Sequence, residues 1–183
     1  MKMRILNKAE WRATDENPLP DVSFVPMMTR RRLSPVERAA LHVAWKVFER
    51  PDDTPEVALP EKGTVPVVFA SRWGEIGTTL KLMRQMHIEG EMSPAAFSSS
   101  VHNAAPGAWS LLTKNTAPYT AIAARERTYE MGLLEAETQL KASKCEAVLY
   151  VYAEESPPSY YQPLLQETTP SHSVAMLIAP DKE

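Results

Sequence analysis

The sequence predicts an α/β fold in which helices alternate with strands. Val65–Ala70 is a short continuous apolar run, and Cys145–Ala153 (CEAVLYVYA) carries the clearest strand signal in the chain. Between them, Gly74–His87 and Arg125–Ala142 have apolar residues at helical spacing, and Ala117–Ala123 reads as a strand. Because strand–helix–strand units of this size connect parallel neighbours, we expect Ala117–Ala123 to lie parallel to Val65–Ala70.

Two further strands are expected at the ends of the chain. Met3–Ala13 alternates irregularly, and His172–Ala179 (HSVAMLIA) is strongly apolar. The proline-bearing segments Asn17–Met28, Arg50–Gly63 and Glu154–Ser171 read as extended or loop connections. The prediction is therefore a mixed five-stranded sheet covered by helices, in one domain over residues 1–183.

One helix start is clear from the sequence. Ser34 is a favourable N-cap, Pro35 suits the first helical position, and Glu37 completes a capping box. Val36, Ala40, Val43 and following residues then fall on one face. The sequence therefore predicts an amphipathic helix beginning at Pro35.

Composition narrows the functional classes. The 183 residues carry a net charge of −3, which gives no electrostatic case for nucleic-acid binding. The lone Cys145 leaves no internal disulfide and fits a cytoplasmic protein. No apolar run reaches membrane-spanning length. The four histidines lack metal-ligand spacing, so we expect neither a metal nor a cofactor.

The stretch Ser93–Gly132 combines a polar loop, an apolar helix, a short strand and the start of a second helix. Its pattern is Ser-Pro, four residues, Ser, three residues, Asn, three residues, Gly, ten residues, Pro and then an apolar strand. This pattern resembles the segment of β-ketoacyl synthases that leads to the catalytic cysteine. The matching positions are Ser93, Pro94, Ser99, Asn103, Gly107, Pro118, Ile122 and Ala123.

The resemblance implies that Glu126 occupies the nucleophile position. It therefore points to chain-length factors, the ketosynthase-like proteins in which the nucleophile is replaced, and in particular to the short form of aryl polyene biosynthesis. The expected fold is a single thiolase-like half, matching the N-terminal half of a ketosynthase. The histidines of a ketosynthase lie in its second half, so we expect a catalytically silent subunit.

The resemblance also implies partners. A full-length β-ketoacyl synthase would form a heterodimer with this chain, and an acyl carrier protein would be reached through that complex. The expected dimer strand is Ala117, Pro118, Tyr119, Thr120, Ala121 and Ile122. The residues expected near the partner's acyl tunnel are Ala95, Ala96, Phe97, His102 and Asn103. Where ketosynthases tend to have bulky aromatics after Ser-Pro, the two alanines leave room, and the aromatic follows at Phe97.

Other interpretations of these residues stay open from sequence. Glu126 also fits a solvated first helical turn. Ser98 with His102, or Glu126, would suggest a divergent acyltransferase or hydrolase, although Ser98–Ser100 fit an N-cap cluster better. Arg30–Arg32 fit a solvated run, or a site for phosphate or an acidic carrier protein, which makes a carrier-protein binding module a further alternative.

Overall fold

A computed structural model describes residues 3–49, 58–143, 145–165 and 169–181. Within them, one five-stranded sheet has the order β1-β5-β4-β2-β3. The strands are β1 (Met3–Arg12), β2 (Val67–Ala70), β3 (Tyr119–Ile122), β4 (Val148–Glu154) and β5 (His172–Pro180). The predicted mixed five-stranded sheet is confirmed.

The centre of the sheet is parallel and one side is antiparallel. β2 pairs in parallel with both β3 and β4, which confirms the expected strand–helix–strand unit. β5 lies between β4 and β1 in the sheet and runs antiparallel to both. β3 and β1 form the two edges of the sheet.

Helices cover both faces of the sheet. The helices are α1 (Met27–Arg30), α2 (Pro35–Lys46), α3 (Ile76–Glu89), α4 (Pro94–Ser98), α5 (Ala104–Thr113) and α6 (Thr128–Ser143). α2 and α5 enclose the larger core, in which Trp109, Phe69 and Leu149 are buried. α6 covers the opposite face over Val68, Tyr150 and Ile178. The sheet is thus the middle layer of a three-layer domain.

The start of α2 follows its sequence signal. The Ser34 hydroxyl accepts from the Glu37 backbone N–H at 3.0 Å, and the Glu37 carboxylate accepts from the Ser34 backbone N–H at 2.7 Å. Pro35 occupies the first turn, where its missing N–H costs nothing. The predicted capping box is confirmed.

Several boundaries differ from the sequence prediction. The segment 17–28 was expected to be extended, but its end enters the short helix α1. The helix expected from Arg125 begins with a 3₁₀ turn, Arg125–Arg127, before α6. Pro106 lies in the first turn of α5, where a helix tolerates proline without a kink. Of the loop expected at 50–63, residues 50–57 lie outside the described part of the chain.

The serine run is not an N-cap cluster. Ser98, Ser99 and Ser100 each donate a hydroxyl hydrogen bond to the backbone carbonyl three residues earlier, at 2.8 to 3.0 Å. They therefore satisfy carbonyls at the end of α4 instead of N–H groups at the start of α5. Ser93 is the residue whose hydroxyl caps α4, accepting from the Ala96 N–H at 3.3 Å.

Candidate functional site

The residue at the expected nucleophile position lies on a tight turn between β3 and α6. Arg125, just before it, has a φ of 53°, a left-handed conformation that is rare for a side chain of this size. The Thr128 hydroxyl stabilises the turn by accepting from the Ala124 N–H at 2.9 Å and donating to the Arg125 carbonyl at 2.6 Å. Glu126 is thereby presented at the surface directly after the strand.

Glu126 forms an ion pair with Arg72, and its carboxylate oxygen lies 2.9 Å from the guanidinium. The Glu126 side chain is 71% exposed, so this pair adds little to stability. The Arg72 guanidinium also lies 4.4 Å from the centre of the Trp73 ring. Among the described residues, the Glu126 carboxylate accepts its hydrogen bond from this guanidinium and not from a backbone N–H group.

The loop that carries Arg72 is held by a buried carboxylate at the end of β4. Glu154 accepts from the backbone N–H groups of Arg72 and Trp73, the latter at 3.2 Å, and from the Ser71 hydroxyl at 3.2 Å. Burial raises the pKa of Glu154, and these hydrogen bonds oppose the rise. Arg72 is therefore fixed at its backbone while its side chain reaches across to Glu126.

His102 packs against the same loop. One ring nitrogen, Nε2, lies 2.8 Å from the Ser71 carbonyl oxygen, and the ring meets Phe69 edge-on. A Cβ on Gly74, whose φ is +52°, would lie 2.8 Å from the His102 ring, so only glycine suits this approach. His102 thus supports the loop, while the Ser98 hydroxyl bonds to its own helix. The structure does not bring these two side chains together as a nucleophile and base.

A second buried carboxylate links α2 to α3. Glu75 accepts from the Ser34 hydroxyl at 2.8 Å and from the Thr78 hydroxyl at 3.1 Å. Burial raises the pKa of Glu75 to about 8, and the nearby Glu37 and Glu155 carboxylates add to the rise. Glu155 is itself buried and accepts from the Gly77 N–H at 2.6 Å, and burial raises its pKa also. Glu75 is therefore largely neutral at pH 7.

β3 presents an open edge. The Pro118 and Ile122 carbonyls accept from the N–H groups of Val67 in β2 and of Ser71 just after it, at 3.1 Å in both cases. The backbone N–H and C=O groups of successive residues point to opposite sides of a strand. The backbone groups of Thr120 therefore also point to β2, whereas those of Tyr119 and Ala121 point to the open edge. The strand is shorter than expected, because Ala117 and Pro118 precede it.

The other expected interface residues lie around this edge and on α4. The Asn103 amide nitrogen lies 3.4 Å from the Tyr119 hydroxyl, so the start of α5 is next to β3. Phe97 is 56% exposed on α4. Ala95 and Ala96 line a groove against α1, α2 and α5. The structure thus brings Asn103 and Tyr119 together, and leaves Ala95 and Ala96 on a different surface.

The sequence comparison decides the family. The family model described as "Beta-ketoacyl synthase, N-terminal domain" matches residues 6–183. The chain belongs to this family. The predicted resemblance to β-ketoacyl synthases is therefore confirmed. A search of curated protein sequences found no match.

Solved structures share the fold of this ketosynthase-family chain. A ketosynthase (ApeO) in complex with its chain length factor (ApeC) from Xenorhabdus doucetiae has a TM-score of 0.78 at 24% identity, over 99% of this chain and 80% of that one. The ishigamide ketosynthase/chain length factor has a TM-score of 0.70 at 17% identity, over 85% of this chain and 46% of that one. The AntDE:AntF complex, of a type II polyketide synthase ketosynthase with its acyl-carrier protein, has a TM-score of 0.64 at 16% identity, over 86% of this chain and 49% of that one.

These likenesses establish a thiolase-like α/β fold, as predicted. The chain spans about half the length of the second and third of these structures. No helix of the described ranges is long and apolar enough to cross a membrane. In the same ranges, histidine, cysteine and acidic side chains form no group of three that could hold a metal ion.

Sequence reasoning singled out Glu126 but missed Arg72, its ion-pair partner, and the two buried carboxylates Glu154 and Glu75. Arg72, Glu154 and Glu75 lie 54, 28 and 51 positions from Glu126 and were assigned only to loops or element ends. β2 and β4 are parallel neighbours, and the carboxyl ends of such strands meet at one edge of the sheet. That arrangement is the one signal that could have placed Arg72 beside Glu154. Chemically, an exposed carboxylate held by a guanidinium can accept hydrogen bonds, but it offers no thiolate for attack on a thioester.

Proposed function

We propose that this chain is a catalytically silent chain-length factor that pairs with a full-length β-ketoacyl synthase and shapes its acyl tunnel. The observation that carries the proposal is the Glu126–Arg72 ion pair, because the sequence resemblance implies that Glu126 occupies the nucleophile position. The pathway is polyene biosynthesis of the aryl polyene type, or a related fatty-acid-like pathway. The subunit works in the cytoplasm, and the growing chain arrives on an acyl carrier protein.

The proposed lack of catalytic activity follows from the chemistry of Glu126. Condensation needs a nucleophile that forms a thioester and later releases the acyl group to a carbanion, and thiolate suits both steps. A carboxylate would form a mixed anhydride, which water hydrolyses. The nearby Arg72 guanidinium donates a hydrogen bond to the Glu126 carboxylate oxygen at 2.9 Å. The subunit therefore contributes shape instead of bond formation.

The open edge of β3 is the proposed contact with the ketosynthase. In the described part of the chain, no strand pairs with the outward backbone groups of Tyr119 and Ala121, and an exposed edge of this kind is a template for a further strand. Pairing with a strand of the partner would satisfy those groups and continue the sheet through both subunits. Tyr119, at 39% exposure, and Asn103 beside it would add side-chain contacts.

Phe97 is the proposed end wall of the acyl tunnel. Its side chain is 56% exposed on α4, and the two residues before it, Ala95 and Ala96, have small side chains. An acyl chain that reaches such a wall must displace packed apolar groups in order to grow. Overpacking costs roughly 1–3 kcal/mol, which would slow the next extension by about tenfold or more.

The pairing proposal is tested with two proline substitutions on β3. Ala121→Pro removes an N–H that faces the open edge, whereas Thr120→Pro removes an N–H that bonds to β2. We expect Ala121→Pro to abolish co-purification with the co-expressed ketosynthase while the isolated chain keeps its melting temperature within a few degrees. Thr120→Pro should lower the melting temperature itself. Retention of a full-strength complex by Ala121→Pro would exclude pairing through this edge.

The silence proposal is tested on the reconstituted heterodimer. With acyl- and malonyl-carrier proteins, intact mass spectrometry should show an acyl adduct on the ketosynthase and none on this chain. Replacement of Glu126 by Gln should leave the condensation rate of the heterodimer within about twofold, because the residue makes no bond to the acyl group. A stable adduct on this chain would disprove the proposal.

A further inference from the structure

Buried carboxylates attach the start of α3 to the rest of the domain. Glu75, directly before the helix, is 4% exposed and accepts from the Ser34 hydroxyl at 2.8 Å and the Thr78 hydroxyl at 3.1 Å. Ser34 is the N-cap of α2, so the first of these bonds joins α3 to α2. Glu155, just after β4, accepts from the Gly77 N–H at 2.6 Å, and a Cβ on Gly77 would lie 2.9 Å from its carboxylate. The first turn of α3 is therefore attached through two acidic side chains.

The rest of α3 adds little to this attachment. Within the helix, Leu80 and Leu82 are buried. The apolar side chains of its last two turns are exposed instead, and these are Met83, Met86 and Ile88. Since apolar burial supplies most of the free energy that docks a helix, we expect the polar contacts of the first turn to decide whether α3 stays in place.

The charges closest to Glu75 have its own sign. Glu37 of α2 and Glu155 are both buried, and both carboxylates repel an anionic Glu75. Among the residues that the structure describes, none of these three carboxylates forms an ion pair. A buried carboxylate that lacks a cation is more stable when it is protonated, and burial together with these neighbours raises the pKa of Glu75 to about 8.

Other titratable side chains lie around this cluster without neutralising Glu75. They are Lys81 near Glu155, Arg38 near Glu37, and His102, whose ring packs on Gly74. The Arg38 guanidinium already donates to the backbone carbonyls of Arg30 and Leu33. Glu75 therefore holds a proton that no cation of the described residues replaces.

We propose that these three carboxylates form a proton-dependent latch, and that loss of the proton on Glu75 detaches α3 from α2 while the sheet stays folded. An anionic Glu75 faces two like charges in a mostly buried position, and detachment of α3 lets water solvate it. Ser34, Glu37 and Thr78 line a groove of about 990 Å³, which gives water a route to the junction. α4 follows α3 after a short connection, so detachment also moves Phe97. An effect on the acyl tunnel would rest on the proposed function, whereas the latch itself does not.

The direction of the pH dependence follows from the chemistry of a carboxylic acid. Between the ordinary pKa of 4.5 and the folded value of about 8, the detached helix has released a proton that the attached helix keeps. The detached form therefore gains population as pH rises, by up to about tenfold per pH unit inside this window. The gain levels off above the folded pKa, and the latch is fully closed below the ordinary one.

The test is amide hydrogen exchange of the full chain, measured by mass spectrometry from pH 5.5 to pH 8.5 and corrected for the intrinsic exchange rate at each pH. Protection of the α3 amides should fall by up to about tenfold per pH unit and level off near pH 8. The last turn of α6 is an internal reference, because its fraying does not expose Glu75, and its protection should stay constant. In up to about 1 M urea, the α3 amides should exchange at an unchanged rate while the β4 amides exchange faster, since only global unfolding exposes a large surface.

Two variants test the carboxylates themselves. Glu75→Gln keeps the shape of the protonated acid and should make the protection of α3 independent of pH. Glu155→Gln removes one repelling charge but keeps an oxygen for the Gly77 N–H, so the levelling-off should move to a lower pH. Glu91→Gln neutralises an exposed carboxylate just after α3 and is the control, which should keep the profile of the parent chain.

Three results would overturn the latch. Constant protection of α3 across the pH range in the parent chain would show that no buried proton controls the helix. A parent-like slope in Glu75→Gln would assign the pH dependence to another group. Equal protection and equal urea dependence of α3 and β4 would show that α3 detaches only when the whole domain unfolds. Neither the β3 contact nor the proposed lack of catalytic activity enters these measurements, so the proposed function is tested independently.

Discussion

Glu75→Gln should remove much of the pH dependence of folding stability on the alkaline side. Burial raises the pKa of Glu75 to about 8 from an ordinary value of 4.5. Between these two values the folded protein holds a proton that the unfolded chain has released. Stability therefore falls as pH rises from 4.5 to 8, and it is fully present only below the unfolded pKa. A glutamine has the shape of the protonated acid and does not titrate.

The magnitude follows from the pKa difference. Each unit of difference is worth about 1.4 kcal/mol, so full ionisation of Glu75 would cost about 4–5 kcal/mol of unfolding free energy. The stability of the variant relative to the parent should rise by up to about 1.4 kcal/mol per pH unit inside this window. Glu154 also has a raised pKa, but it titrates in both proteins and cancels from the difference. Glu37 and Glu155 are coupled to Glu75, so the relief of their repulsion is part of the measured difference.

The assay is urea unfolding followed by far-ultraviolet circular dichroism, from pH 5 to pH 8.5 in half-unit steps. Glu91→Gln is the matched control, since Glu91 is exposed just after α3, and its stability difference from the parent should be flat with pH. A Glu75→Gln difference that is equally flat would refute the reasoning. It would mean that the Glu75 carboxylate is as well solvated or compensated in the folded protein as in the unfolded chain.

Three further substitutions test packing, capping and the acyl tunnel. Gly132→Ala should lower stability by roughly 1–2 kcal/mol in thermal unfolding, because the added Cβ would lie 2.6 Å from the Tyr150 ring and 2.8 Å from the Ala70 Cβ. An unchanged melting temperature would show that α6 can shift outward. Ser34→Ala should lower the free energy of unfolding by roughly 2–3 kcal/mol, because it removes a helix cap and a donor to the buried Glu75 carboxylate. The matched Ser93→Ala change on exposed α4 should lower it by under about 1 kcal/mol, and equal losses would contradict this account. Phe97→Ala should lengthen the products of the reconstituted heterodimer, as measured by mass spectrometry, and an unchanged length distribution from an intact complex would exclude the wall.

Local signals in the sequence predicted the parts of the fold that depend on neighbouring residues. The capping box of Ser34 and Glu37 spans three positions, so its geometry is set by the helix alone. The strand β2 was recognisable because it is buried on both faces and therefore apolar throughout. The change from strand to helix between β3 and α6 was also expected, although a 3₁₀ turn at Arg125–Arg127 comes first.

The contacts that build the candidate site depend on the order of the strands. Arg72 meets Glu126 across 54 positions, and Glu154 meets the Arg72 backbone across 82. Neither pairing can be read from periodicity, since it follows from β2 lying between β3 and β4. The N-cap interpretation of Ser98–Ser100 was wrong for another reason. A hydroxyl can accept from an N–H of the following helix or donate to a carbonyl of the preceding one, and composition alone does not distinguish the two.

The pairing of β1 with β5 has a consequence for synthesis of the chain on the ribosome. Arg12 pairs with His172, so 160 residues must be made before β1 meets its partner strand. At about 5–20 residues per second, β1 waits roughly 8–30 seconds without a ladder. A strand left open for that time risks pairing with another nascent chain. The exposed Lys8 and Glu10 on β1 place charges along it, which disfavours such pairing until β5 arrives.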